Sequence, residues 1–272
     1  LNALIHLLHD HRAEIATAIA QDFGHRSHQE TELLELFPAL EAARHARSHL
    51  RRWMRPERKA ASMWFLPGRA RVVWQPLGVV GVVVPWNYPV LLAAAPMASA
   101  LAAGNRVLIK MSEFTPATGE LFARLVERYF PADWVRVVNG DVATAERFVA
   151  LPFDHLLFTG STAVGRHVMR AAAANLTPVT LELGGKSPAL IGPHYPLQTA
   201  ADRIMHGKCI NAGQTCIAPD YALVHKEVKD RFVEACKEQL VALYGPDPKS
   251  SPDYGRVITT KHHQRLVSLM KN

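Results

Sequence analysis

The sequence predicts an α/β protein: a doubly wound parallel sheet, followed by a second α/β unit that the chain leaves truncated. Three observations lead there. From Val72 onward, short β-branched runs alternate with alanine-rich runs of helical length, the pattern that parallel crossovers produce. The runs at 79–84 and 107–109 are continuously apolar rather than alternating, so those strands are buried on both faces. Polar residues with chemical potential fall just after the strands, where ligands of such sheets gather.

Taken in order, residues 1–22 carry Leu1, Leu4, Ile5, Leu8, Ile15 and Ile19 at helical spacing, and Asp22-Phe23-Gly24 stops the helix with glycine. A second helix is expected from about Ser27 through Trp53, after which Pro56 and Pro67-Gly68 mark loops. Residues 72–74 and 79–84 read as strands, 90–103 as a helix closed by Gly104, 107–109 as a strand, and 116–130 as a helix with proline in its first turn. A strand at 135–138 closes on Asn139-Gly140. It is followed by helix 143–150, strand 155–158, helix 162–174 and strand 179–183. After Gly184-Gly185 come strand 189–191, helix 198–212, strand 222–224, helix 226–244 and helix 260–270. The domain boundary is placed near Gly184, with residues 1–183 as the first unit and 184–272 as the second. There is no internal repeat.

The chain has 272 residues, 49% hydrophobic and 20% charged, enough for a sizeable core. Its three cysteines are an odd number with no Cys-x-x-Cys pair, which argues against a disulfide framework or a zinc site and for a reducing compartment, the cytoplasm. No metal is expected. The net charge is +7, and Arg44, Arg47, Arg51, Arg55 and Arg58 repeat at helical spacing as a solvated face. No recognition motif accompanies them, so nucleic acid is not expected as a partner. Residues 72–105 carry no charge, but Pro76, Pro85, Pro89 and Pro96 interrupt them; a buried strand and helix explain the run better than a membrane span. No signal peptide is visible, and the chain reads as an internal piece of a longer protein.

The chemistry centres on 181–216. Leu181-Glu182-Leu183-Gly184-Gly185-Lys186 sets a carboxylate before a glycine pair, and Asn211-Ala212-Gly213-Gln214-Thr215-Cys216 ends in a thiol. Only about 3% of an ordinary cysteine is thiolate at neutral pH. A carboxylate buried in an apolar strand, its pKa raised, can serve as a general base. A core cysteine and a surface glutamate are the plain alternative. Asn87, in Pro85-Trp86-Asn87-Tyr88-Pro89, can donate to an oxyanion or be a turn residue. Lys110 and Glu113 can grip ribose hydroxyls or lie in a solvated loop. Thr159-Gly160-Ser161 joins a strand to a helix, a place suited to phosphate or simply to an N-cap. The loop matches neither G-x-G-x-x-G nor the P-loop pattern. Lys186 reads as structural or solvated, His262-His263 as surface.

Taken together, these motifs resemble the aldehyde dehydrogenase superfamily over all 272 residues. They are Pro-Trp-Asn-Tyr-Pro (85–89), Ala-Gly-Asn (103–105), Phe-Thr-Gly-Ser-Thr (158–162), Leu-Glu-Leu-Gly-Gly-Lys-Ser-Pro (181–188) and Gly-Gln-Thr-Cys (213–216). The segments 211–221 and 176–180 look most like the class 3 branch, which includes the fatty, aromatic and coniferyl aldehyde dehydrogenases. The resemblance implies a Rossmann-like cofactor domain, a catalytic thiol domain, and oxidation of an aldehyde to an acid through a thiohemiacetal and a thioester. Cys216 would be the nucleophile, Asn87 the oxyanion donor and Glu182 the base that activates water. Lys110, Glu113, Gly160, Ser161, Trp86 and Gly184 would hold NAD or NADP; Glu113 would repel a 2′-phosphate and Lys110 attract one.

Met111 stands where the family usually has proline, and the chain stops before the family's Glu-x-Phe-Gly-Pro motif. A homodimer is implied for the full-length protein, with room for a membrane anchor beyond residue 272. Two alternatives from other classes are a thiol esterase or acyl transferase without dinucleotide, and a fragment that binds cofactor without catalysis.

Overall fold

The computed structural model describes residues 1–271. The first helical stretch is two helices, α1 (Asn2–Asp10) and α2 (Arg12–Asp22), not one. His11 leaves helical geometry between them at φ −111° and ψ 20°. This break lets Leu4, Leu7 and Leu8 of α1 and Ile15 and Ile19 of α2 enter one core from different angles. The second stretch is also divided, into α3 (His28–Thr31), a π-helical turn at Glu32–Leu36, and α4 (Phe37–Trp53). Pro38 explains the widened turn, because its ring would clash with the carbonyl four residues back in a regular helix. As α4 ends at Trp53, Arg55 and Arg58 fall outside the predicted basic helix face.

Residues 57–72 form an exposed arm in which β1 (Glu57–Lys59) pairs antiparallel with β2 (Ala70–Val72). The strand expected at 72–74 therefore lies earlier, and part of the expected loop is strand. Neither segment is buried, so neither carries the apolar periodicity that sequence reading relies on.

The main sheet begins at β3 (Val79–Val83) and continues through α5 (Leu91–Ala102), β4 (Arg106–Lys110), α6 (Pro116–Tyr129), β5 (Val135–Val138), α7 (Val142–Val149), β6 (His155–Thr159), α8 (Thr162–Ala173) and β7 (Val179–Glu182). The strand order is β5-β4-β3-β6-β7, with every pair parallel. The chain builds outward from β3 to β5, then returns to add β6 and β7 on the other side. The crevice where that direction reverses, between the carboxyl ends of β3 and β6, is where such sheets bind ligands. One face packs Val80, Val82, Val107 and Ile109 against α1, α2, α4, α5 and α6. The other packs Leu156 and Phe158 against Phe148 of α7 and Val168 of α8. Helices on both faces make the sheet doubly wound, as the sequence predicts. The uncharged run 72–105 contains β3 and α5, and among the described residues no helix is long and apolar enough to cross a membrane.

Two carboxylates tie the N-terminal helices to this sheet. Asp22 accepts from Ala117 N at 2.9 Å and Thr118 N at 2.8 Å, satisfying free donors at the start of α6. Glu35 does the same for α5, accepting from Val90 N at 2.7 Å and Leu91 N at 3.1 Å. It also receives the buried Arg26 guanidinium at 2.8 Å.

After β7 the chain leaves the sheet. β8 (Ser187–Ile191) and β9 (Pro219–Val224) form a separate parallel pair, covered by α9 (Leu197–Cys209) and α10 (Lys229–Tyr244). Ile191, Ala200, Ala201, Phe232 and Ala235 fill its core. The expected helix 198–212 stops at Cys209: Ile210 leaves helical geometry at φ −51° and ψ 133°, and Asn211 and Ala212 then turn left-handed, at φ 51° and 53°. The segment before α11 (Thr260–Met270) returns to the first helices: the His25 ring lies 2.7 Å from Pro252 O, and Ile258 joins the main core.

Candidate active site

Asn87 lies in the loop leaving β3, Ser161 follows β6, and Glu182 is the last residue of β7. Three parallel strands thus aim their carboxyl ends at one place. Cys216 comes to the same place from the second unit. These residues line one cleft of about 810 Å³ together with Trp86, Gly160, Gly184, Gly185, Lys208, Gln214, Thr215, His262 and Arg265. The size suits a ligand larger than a single aldehyde.

The thiol loop is anchored directly to the β3 loop. Asn87 Nδ2 donates to Gln214 O at 3.0 Å, and the Tyr88 hydroxyl pairs with Thr215 Oγ1 at 2.6 Å. Gly185 allows the β7–β8 connection to run against the same loop; a Cβ there would meet Cys216 O at 2.6 Å. Cys216 is exposed to the cleft, whereas Cys209 is buried and Cys236 partly so. Burial pushes both of those thiols up, leaving them as weaker nucleophiles.

Glu182 differs from its expected setting. The sequence predicts it buried in an apolar strand; it is exposed, because β7 is the edge of the sheet and Glu182 is its final residue. Its carboxylate opens on the cleft rather than on packed side chains. Lys110 differs more. Its amine is buried and donates to Met111 O at 2.7 Å and Gly140 O at 2.8 Å, closing the carboxyl end of β4. Burial lowers its pKa, with Glu113 and Asp141 opposing the shift. The structure brings neither Lys110 nor Glu113 into the cleft lining. Lys186 pairs with Asp220 at 2.9 Å on the surface and joins β8 to β9.

The sequence predicts His262 at the surface, yet it packs edge-on to Trp86 at 5.1 Å and Phe114 at 5.5 Å. With Arg265 and Leu266 it forms a face of α11 turned to the cleft. The signal was present as i, i+3, i+4 spacing, but nothing in it separates a cleft-facing stripe from any amphipathic helix. Burial, then the Arg265 and Lys261 charges, lowers the His262 pKa below 6.5. A group depressed in the folded state contributes stability above its unfolded pKa and loses it as pH falls through the folded value. Protection of the α11 amides, expressed relative to their intrinsic exchange at each pH, is therefore expected to fall as the pH drops below the ordinary histidine range, and His262→Gln to remove that fall. Protection that is independent of pH in the native protein would refute it.

The cleft also suits a dinucleotide. Ser161 caps α8, its Oγ accepting from Val164 N at 3.3 Å, so the helix start faces the cleft. Gly160 N donates to Glu182 O at 3.0 Å and keeps the β6 and β7 ends together. A Cβ at Gly160 would strike the Phe158 ring at 2.5 Å. Lys208 and Arg265 add positive charge for an anion, and Trp86 adds a flat apolar wall.

Comparison with known proteins agrees. The model of the aldehyde dehydrogenase family matches residues 1–272. A probable coniferyl aldehyde dehydrogenase of Pseudomonas aeruginosa is 52% identical over 266 residues, 98% of this chain and 56% of that protein. A coniferyl aldehyde dehydrogenase of a Pseudomonas species is 45% identical over 267 residues, 98% of this chain and 55% of that protein. The substrate-bound structure of Staphylococcus aureus AldH superposes with a TM-score of 0.95 at 37% identity, covering 99% of this chain and 59% of that one. An NAD+ complex of a Bacillus cereus aldehyde dehydrogenase superposes at 0.88 with 27% identity, covering 99% and 55%. The chain thus spans a little over half the length of the relatives it matches. With a family match along its whole length and this cleft at the carboxyl ends of its parallel strands, the chain belongs to the aldehyde dehydrogenase family.

Proposed function

We propose that the full reading frame carrying this chain oxidises an aldehyde to a carboxylic acid with NAD or NADP, and that its substrate is an aromatic aldehyde of the coniferyl type. The observation that supports the chemistry is the meeting of Asn87, Glu182 and Cys216 on one cleft with the Ser161 helix start. The named relatives support the substrate class. In this reading residues 1–183 hold the cofactor and the unit from Gly184 onward presents the thiol.

The Cys216 thiolate attacks the aldehyde carbon, and the carbonyl oxygen becomes the oxyanion of a thiohemiacetal. Gln214 O occupies one amide hydrogen of Asn87 and fixes the amide's orientation, leaving the second hydrogen for that oxyanion. Gly160, Ser161, Trp86 and Gly184 would cradle the dinucleotide, with Lys208 and Arg265 beside its charge. The dinucleotide held there would supply the hydride acceptor through which the thiohemiacetal on Cys216 would be oxidised to a thioester. Glu182, open to water at the edge of the sheet, takes a proton from the water that attacks the thioester. The acid departs and the Cys216 thiolate is restored.

The test is Glu182→Gln in the complete protein, with coniferyl aldehyde and either dinucleotide. A single-turnover burst of reduced cofactor is expected to persist while steady-state turnover falls by ~10²- to 10⁴-fold. An unimpaired steady state would remove Glu182 from the mechanism. No aldehyde-dependent reduction by the native protein would remove the dehydrogenase reading.

A further inference from the structure

We infer that Glu30, on α3, is a positioning residue for the thiol loop: by accepting the Asn211 backbone N–H it holds the left-handed turn through which Cys216 is set against Asn87. This rests on the proposed role of Cys216. Three consecutive residues, Asn211, Ala212 and Gly213, have φ of 51°, 53° and 78°. Glycine accepts that conformation readily, but alanine does not, because its Cβ crowds the following carbonyl. The favoured local alternative is plain from the sequence, where the helical pattern of α9 runs on through Ala212. In that alternative Asn211 N would donate to Gly207 O. Glu30 competes for the same hydrogen and takes it, with Oε1 at 2.5 Å from Asn211 N.

The consequences reach both catalytic partners. Turned this way, Asn211 Nδ2 donates to Asn87 O at 2.9 Å and lies 3.3 Å from Gln214 O. Arg26 reinforces the arrangement from below. Its Nε lies 3.7 Å from the Glu30 carboxylate, and its Nη1 donates to Asn87 O at 3.2 Å. The Asn87 carbonyl is therefore held by two donors, while its side-chain amide reaches the Gln214 carbonyl two residues before the thiol. Glu30 is 181 positions from Asn211, touches none of the reacting atoms, and is almost buried, its side chain 12% exposed.

The experiment uses the complete protein and two assays: aldehyde oxidation, and cofactor-free hydrolysis of p-nitrophenyl acetate, which needs the thiol and oxyanion donor but no dinucleotide. Glu30→Ala is expected to lower kcat in both assays by ~10- to 100-fold per folded molecule, with cofactor affinity unchanged. Glu30→Gln keeps an acceptor oxygen and is expected within about threefold of the native rate. Ala212→Gly, which favours the turn over continued helix, is expected to restore most of the activity lost in Glu30→Ala. If Glu30→Ala does not fold, Glu30→Ser, too short to reach Asn211, replaces it. Native ester turnover in Glu30→Ala, or equal damage in Glu30→Gln, overturns the inference. A native protein that hydrolyses the ester but oxidises no aldehyde refutes only the dehydrogenase reading, and the ester assay still decides the role of Glu30.

Discussion

Replacing Cys216 by alanine in the complete protein is expected to abolish the proposed aldehyde oxidation and ester hydrolysis together, while cofactor still binds. The expected loss is about 10⁶-fold, the scale seen when the nucleophile of a covalent mechanism is removed. Of the three cysteines, Cys216 alone opens to the cleft; Cys209 and Cys236 are shielded and their thiols are pushed up by burial, so neither can substitute. Removing Sγ leaves the cofactor side of the cleft untouched, because Gly160, Ser161 and Trp86 stand on other loops. Aldehyde-dependent absorbance of the reduced nicotinamide, measured beside a cofactor titration, checks both halves. Activity surviving in Cys216→Ala would end the covalent mechanism.

Glu35→Ala is expected to cost about 3–5 kcal/mol of folding stability, because it removes the hydrogen-bonded partner of the buried Arg26 charge and leaves only the more distant Glu30 carboxylate at 3.7 Å. Both side chains are 0% exposed, so water cannot replace what is lost. Burial pushes the Glu35 carboxyl up, while Arg26 and the Leu91 and Val90 amides oppose it. The guanidinium carbon of Arg26 lies 5.2 Å from the Phe23 ring and 4.9 Å from the Tyr88 ring, contacts that favour the cation but do not replace a carboxylate. Urea midpoints report the change in stability. Glu35→Leu with Arg26→Met removes both charges and is expected to recover much of the stability. It is not expected to recover activity, since Arg26 Nη1 also holds Asn87 O at 3.2 Å. A Glu35→Ala protein as stable as the native one would show that the pair contributes little.

Residues such as Val82, Ile109 and Phe158 announce strands buried on two faces, and the punctuation at Gly104 and Asn139-Gly140 separates them, so the alternation of the first unit is legible by eye. The arm at 57–72 is not, because its strands lie in water and pair across a gap that no periodicity marks. Asn87 and Glu182 stand out as residue types at strand ends, and Cys216 as a thiol after the Gly213-Gln214-Thr215 turn. Lys110 stands out equally, but its amine is taken by two backbone carbonyls. A side chain's identity does not reveal whether backbone acceptors lie within its reach.

The sequence by itself determined the parallel α/β class, the family motifs and the identity of a thiol, a carboxylate and an amide able to act together, because these follow from local periodicity and from side-chain chemistry. Only the tertiary structure decided that Glu182 is exposed, that His262 and Arg265 face the cleft, and that α9 ends at Cys209, ahead of the left-handed turn at Asn211. Each depends on contacts between residues far apart in the chain. Glu30 and Asn211 bond across 181 positions, and the competition for one backbone hydrogen that ends the helix exists only once the fold brings them together.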